Sequence, residues 1–569
     1  MIRYPVLCSA IAVAFATASL AATIPAFAQD TDHGSAGIIV VADPNEHGDG
    51  TMGPDAAAAW RRGPLPFGAA DLALKAAADR AYDDAERAGA LRPASGAELE
   101  AAGGRAAANA PVVVGGLNFP GLAGGTNNTN GTPPDNEGAI GVTRYIQTIN
   151  SAVRIYNRSN GAAIATGSLN RLAHNAASVF SFDPQIIWDP TTKRFYYAMD
   201  SIFSSKDNRI AFGFSKNASP GNVTTDWCHY YYKYGRPFPD YPKLGDSQFF
   251  IIIGVNVFAN NQTGGFAGSD IVAIAKPASG NITTCPGAKS LKSGQKTNIK
   301  DTDGRQAFTP VPANQIDTIA TGYVVARNGR LPGSRLWFFD VRRDVTTGAP
   351  LFSNARGVGV PRYSSPPSAR QPGFNQVLDT LDARNTQAIQ ARNPARAHGV
   401  YSFWTQHTVA RGTDAAVRWY EIDPAPATPV LLRDGTIAAN NTFLFNAAIS
   451  PDRQVQGATQ RFGDSMVIQY NVSSRVNSIA PRIVAKSSLH GGELSGATLV
   501  KDGVGGYRDF SCPSAGSVCR WGDYAAATPD PAPTTNKRGV VWGTNQYSGV
   551  LSPPAGGVNW RTQIFALQP

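Results

Sequence analysis

Carboxylates recur along this chain at a nearly fixed spacing. Asp183 and Asp189 bracket "DPQIIWD", Asp240 and Asp246 bracket "DYPKLGD", and Asn446 and Asp452 bracket "NAAISPD", each pair six residues apart. Asp523 and Asp530 repeat the pattern at seven. Asp135 opens a copy that ends on Gly141, and Asp382 opens a weaker one. Carboxylates gathered from several such units could act in three ways. A pair could serve as general acid and base on a glycosidic bond. A ring could accept sugar hydroxyls, and a tight group could hold calcium. The first residue of each bracket is the one placed for such work. Asp135, Asp183, Asp240, Asn446 and Asp523 are therefore read either as ties that bond backbone amides where the chain enters each blade or as a ligand-binding collar, with Asp183, Asp240 and Asp523 the candidate acids and bases. The second residue is read as a turn residue that accepts a backbone N–H two positions on.

Other residues could join this chemistry. Arg520 and Trp521 precede Asp523. An Arg beside an aromatic ring can hold a carboxylate or stack on a sugar, or it can brace its neighbouring Asp. In "CHYYYKY", His229 and Tyr232 could form a base and acid for β-elimination. The plainer reading of the same tyrosines is packing between blades. His174 and His407 are single histidines in structural surroundings. No nucleophile elbow, zinc-protease, P-loop or dinucleotide motif occurs. "DTDGRQAF" starts like a calcium loop but lacks its later ligands. No metal set can be read, and no cofactor is expected, with calcium as the one alternative.

The elements that position these residues are strands. From Asp135 onward the chain reads as short segments rich in β-branched and aromatic residues, such as "RFYYAMD", "SQFFIIIGVNVF" and "RLWFFDV", bounded by Gly, Pro, Asn or Asp. No helices separate them, which excludes a parallel α/β sheet. Each bracket opens a unit: a tight strand of small residues, a turn, then longer aromatic strands. The units open near Asp135, Asp183, Asp240, Ala307, Asp382, Asn446 and Asp523. This period fits four-stranded blades, so the fold class is all-β, a seven-bladed β-propeller; six or eight blades also fit. The last strand, "WRTQIFAL", is expected to close the ring beside the first blade.

The remaining sequence divides by composition. Residues 1–28 read as a secretory signal, with Arg3, an apolar run and an Ala26-Phe27-Ala28 cleavage site. Residues 29–54 read as disordered, 55–110 as a short helical arm, 111–134 as a Gly/Asn/Pro linker and 135–569 as the propeller. No later stretch is long and apolar enough for a membrane span. The 569 residues carry a formal net charge of +10, but the basic residues are scattered, which argues against nucleic acid as a partner. Besides Cys8 in the signal, four cysteines remain. An exported chain would pair them, Cys512 with Cys519 and Cys228 with Cys285, although three pairings are possible.

At "DPQIIWDPTTKRFYYA", "DYPKLGDS", "FWTQHTVARGTDAAVRWYEID" and "CRWGDYAAATPDP" the chain resembles a family of uncharacterised exported bacterial β-propellers, sialidase-like or Asp-box-like. The resemblance runs from about Asp135 to Leu567. It implies fold and a secreted or periplasmic location. The Asp-box itself, S-x-D-x-G-x-T-W, does not occur intact, and sialidase activity is not implied. The expected role is binding of an extracellular ligand, a glycan ahead of a protein, at the axial face. The alternatives are a glycan hydrolase or lyase, and a scaffold for protein interaction or adhesion.

Overall fold

The computed structural model describes residues 37–48, 66–102, 110–125, 131–259, 265–393, 401–456, 459–532, 539–549 and 557–569. Seven sheets of four or five strands succeed one another along the chain, each numbered here from its innermost strand. Those strands are Glu137–Ile140 in blade 1, Phe180–Asp189 in blade 2, Phe238–Asp246 in blade 3 and Ala307–Pro312 in blade 4. Asn385–Arg392, Phe443–Gln456 and Ala526–Pro529 follow in blades 5, 6 and 7. Each inner strand packs against the inner strands of the blades before and after it, and blade 7 meets blade 1. The ring therefore closes on seven, and all seven units opened in the sequence correspond to blades.

Crowding at the axis explains the small residues of the inner strands, and it extends to the next strand out. A Cβ on Gly245, in the inner strand of blade 3, would sit 2.5 Å from the Ala313 carbonyl oxygen, and one on Gly254, in the second strand, 2.0 Å from the Pro310 carbonyl oxygen of blade 4. Further out the blades widen, and large rings fill the gaps. Trp404 stacks on Trp419 at 6.2 Å, and Tyr145 of blade 1 stacks on Trp542 of blade 7 at 5.4 Å.

The N-terminal residues do more than the sequence suggested. Residues 29–54, expected to be disordered, include the strand Ile38–Val41, which pairs antiparallel with Trp227–Gly235 at the rim of blade 2. Residues 111–134, expected to be a linker, include the strand Val112–Ala123, the outermost strand of blade 7. Ring closure is corrected accordingly. Trp560–Gln568 is the third strand of blade 7, and the N-terminal strand pairs outside it. Val112–Ala123 looks like a linker because it carries Pro and three Gly. An edge strand tolerates them, and its ladder breaks register twice. The proposed signal, residues 1–28, lies outside the described residues.

Two helices lie in the arm: α1, Ala69–Arg87, and α2, Gly96–Ala102. Helix α1 lies across the face where the inner strands begin, called the upper face below. Asp71 pairs with Arg327 at 2.7 Å, Lys75 with Asp379 at 3.1 Å, and Asp79 with Arg370 at 3.2 Å. Tyr82 is fully buried, packed on Phe443 and under the Arg370 guanidinium. Cys228–Cys285 and Cys512–Cys519 both form disulfides, as paired from the sequence. No helix among the described residues is long and apolar enough to cross a membrane.

The close approach of blades 3 and 4 gives a test. Gly254→Ala should lower unfolding stability by about 2 kcal/mol or more, because the neighbouring backbone must move. Gly359→Ala, whose Cβ would meet nothing within 4 Å, should change it by less than about 0.5 kcal/mol. Urea denaturation of both variants against wild type measures the difference.

Candidate functional site

The acidic residues reach the axis through a repeated backbone irregularity. In blades 2 to 6 the inner strand carries one extra residue against its partner, between Phe182 and Gln185, Asp240 and Lys243, Phe308 and Val311, Asn385 and Ala388, and Phe445 and Ala448. Such a bulge bends the strand and re-aims its side chains. The first bulge residue takes a left-handed conformation in four of these blades: Asp183 (φ 50°), Tyr241 (φ 59°), Thr309 (φ 54°) and Asn446 (φ 48°). Asp135 (φ 42°) does the same at the head of blade 1. Asp and Asn tolerate this region better than most residues, which helps explain their recurrence. The alignment of Asp240 with Asp183 is off by one, since Tyr241 occupies the bulge and Asp240 precedes it.

The structure brings Asp135, Asp183, Asp240 and Asp523 together at the upper mouth of the axis. The Asp523 N–H donates to Asp135 Oδ1 at 2.8 Å. Asn150 links two blades: its Nδ2 donates to Asp135, and its Oδ1 accepts from the Asp183 N–H at 2.8 Å. Asp183, Asp200 and Asp240 offer carboxylate oxygens that all lie within 4.8 Å of one another. Arg520 donates to Asp523 Oδ2 at 3.1 Å, the bracing role foreseen as its plainer use. Lys243 stands over the Tyr524 ring at 3.3 Å and the Tyr241 ring at 4.4 Å. A second ionic group lies beside the first. Asp382 accepts from Arg384 at 2.7 Å and from Arg327 at 3.4 Å, and Arg327 also holds Asp71 of α1.

Burial sets the electrostatics. Asp135, raised by desolvation and then by the Asp183 charge, and Asp523, raised by desolvation and then by Asp135, both titrate at about 7. Asp183 moves up through desolvation and the charges of Asp240 and Asp523. Asp200 is pushed well up by desolvation, Asp183 and Asp240. Lys243 is brought down to about 7 by burial, against the pull of Glu137 and the collar aspartates. Asp382 goes the other way: its two arginines outweigh burial and hold it well below the usual carboxylate range.

Other predicted residues fall elsewhere. Asn446 is buried, with its Nδ2 bonded to Asn471 Oδ1 at 3.1 Å and Asn545 Oδ1 at 3.0 Å. Trp521 is fully buried and donates to Asn471 Oδ1 at 2.8 Å, so it presents no platform for a sugar. His229 and Tyr232 lie on the fourth strand out from the axis in blade 2. His229 bonds the Tyr197 hydroxyl and the Thr224 carbonyl oxygen, and burial lowers its pKa to about 4. The Tyr232 hydroxyl donates to Gln295 at 2.9 Å. The structure thus separates this pair from the collar. Of the second carboxylates, Asp189 and Asp530 accept backbone N–H groups two residues on. Asp189 and Asp246 also share Lys276, at 2.8 and 2.6 Å.

Sequence reasoning passed over Asp200, Lys243 and Arg384. Lys243 sits inside the "DYPKLGD" bracket, and a lysine amid inner-strand residues was the available signal. Asp200 ends "RFYYAMD", and an acid closing so apolar a strand was a second.

Space at the axis is small. The channel beneath the collar, lined by Glu137, Gln185, Lys243 and Gln387 among others, holds about 20 Å³. A larger groove of about 300 Å³ lies on the upper face between α1 and the connections that cap it. Asp79, Asp83, Arg370, Asn375 and Arg475 line it.

No protein-family model matches the sequence, and no curated protein is similar to it. Among solved structures, an exo-beta-1,3-galactanase from Clostridium thermocellum is 11% identical, with 79% of this chain and 99% of that chain covered and a TM-score of 0.29. The WD40 domain of SCAP from fission yeast is 8% identical, with 74% and 82% covered and a TM-score of 0.28. Likeness at this level carries no inference about what this chain binds.

The raised carboxyls give a signed pH test. A group whose pKa rises on folding stabilises the protein at low pH and loses that contribution as pH rises through the folded value. Asp523→Asn cannot ionise and still offers Arg520 an oxygen. From about pH 4 to 8 its stability should gain on wild type by a few kcal/mol. Chemical denaturation of both proteins across that range measures it, and a constant difference would contradict the shift.

Proposed function

We propose that the protein is an exported binding propeller that holds an extracellular glycan on its upper face, in the groove between α1 and the capping connections. The observation that carries this reading is the groove itself. It has about 300 Å³ of space and is lined by two carboxylates, two guanidinium groups and an amide. Side chains of this kind hydrogen-bond sugar hydroxyls in pairs. The collar suits a sugar poorly: Asp135 and Asp523 are buried, and the channel below has room for little more than water. Two disulfides and the signal-like first residues favour an oxidising compartment outside the cytoplasm.

Asp83 and Arg475 are the more exposed of the charged residues lining the groove, and their loss should leave the fold intact. A glycan array should show binding by wild type that weakens at least tenfold in the Asp83→Ala/Arg475→Ala double variant. Release of reducing ends from mixed polysaccharides, abolished by Asp183→Ala or Asp523→Ala, would replace this reading with a hydrolase. A blank array with no release would leave a scaffold.

A further inference from the structure

The residue opposite the start of each bulge has a common task. In blade 3 it is Asn256, which accepts from the Thr309 N–H of blade 4 at 2.9 Å and donates to the Thr309 hydroxyl at 3.0 Å. In blade 6 it is Asn471, which donates to the Gln546 carbonyl oxygen of blade 7 at 2.7 Å. Asn150 does the same for blade 1, bonding Asp135 and the blade 2 residue Asp183. Blade 4 uses Arg327, which reaches Asp382 of the next unit, and blade 5 uses His407, which donates to the Ala383 carbonyl oxygen. All five side chains carry an N–H. Blade 2 alone places an acid there: Asp200, opposite Phe182.

Asp200 is 1% exposed, and neither carboxylate oxygen finds a hydrogen-bond partner among the described residues. Its neighbours are Asp183 of the same blade and Asp240 across the junction in blade 3, with oxygens of all three within 4.8 Å of one another. Where the other junctions have a donor, this one has three acceptors. Leaving such a group buried and unsatisfied is costly. A cation in the place of the missing N–H would satisfy these acceptors together.

We propose that Asp183, Asp200 and Asp240 bind a calcium ion that joins blades 2 and 3. Three carboxylates are hard oxygen donors, which favour calcium or magnesium over zinc or copper. Calcium takes about six to eight oxygens in a flexible shell, whereas magnesium demands a near-ideal octahedron and keeps several waters, so a buried group of carboxylates favours calcium. Three carboxylates and one divalent ion leave a single negative charge. Lys243 and Arg520 are the nearby cations, and both act on Asp183. Asp183 and Asp240 keep 7% and 8% exposure, so the site opens toward the upper face. The ion is structural in this account, and it does not depend on what the groove binds.

The test uses the full chain, dialysed against chelator and titrated with calcium or magnesium chloride. Calorimetry should show one calcium bound at sub-millimolar concentration, and about 1 mM calcium should raise the melting temperature by several degrees. Asp200→Asn restores the donor found in blades 1, 3 and 6. It should melt above wild type without metal, bind calcium at least a hundredfold more weakly and show no calcium shift. Asp183→Asn serves as the second variant should Asp200→Asn fail to fold, and it should lose the calcium shift too. Wild type that ignores calcium, variants that keep the full shift, or a preference for magnesium would each overturn the assignment.

Discussion

Seven inner strands must meet at one axis, and the side chains at their heads are forced together in a place that water barely reaches. The rest of the structure follows from that convergence. Polar groups at the heads cannot be avoided, because each blade must turn there and its backbone amides need partners. Short acids and amides meet this need at the backbone N–H groups of Asp183, Thr309 and Asp523. The cost appears when several acids share one mouth, since charge is expensive in a low dielectric and like charges add to the expense. Asp135, Asp183, Asp200 and Asp523 are all driven toward their neutral forms by this pressure.

The chain answers the pressure in different ways around the ring. On one side Arg384 and Arg327 neutralise Asp382 directly, and Arg327 extends the network to Asp71 of α1. That link ties the N-terminal arm to the axis. At the far ends of blades 2 and 3, Lys276 sits between Asp189 and Asp246, so those two acids have a resident cation. At the near ends of the same two blades, Asp183, Asp200 and Asp240 bring three carboxylates within 4.8 Å of one another. Helix α1 and the capping connections then cover the upper face. They bury the collar and create beside it a groove large enough for a small ligand.

Much of this was legible in the sequence, and the misses have physical causes. Asp135, Asp183 and Asn446 mark blade heads because Asp and Asn tolerate the left-handed conformation found there. The strand period supplied the rest of the count, since blades 3 and 4 put Tyr241 and Thr309 in that position. The turn role of Asp189 and Asp530 followed from the same chemistry. The Asp240 register was missed because the bulge there carries Tyr241, whose conformation no local pattern announces. The closing strand Val112–Ala123 was hidden by its glycines and proline, which an edge position forgives. Asp200 was passed over because it is paired across strands with Phe182, and its neighbours come from distant segments. The Tyr/His cluster stays open between packing and chemistry in the sequence because composition gives no radial coordinate; its strand lies far out in blade 2.

The most direct test of the central claim is infrared spectroscopy of the metal-free protein across pH, following the carbonyl stretch of protonated carboxyl groups. The account predicts that this band persists well above about pH 5, where exposed carboxyls have ionised, and that it weakens in Asp523→Asn. Loss of the whole band by about pH 5, as for exposed aspartates, would contradict a buried collar whose acids hold one another's protons on.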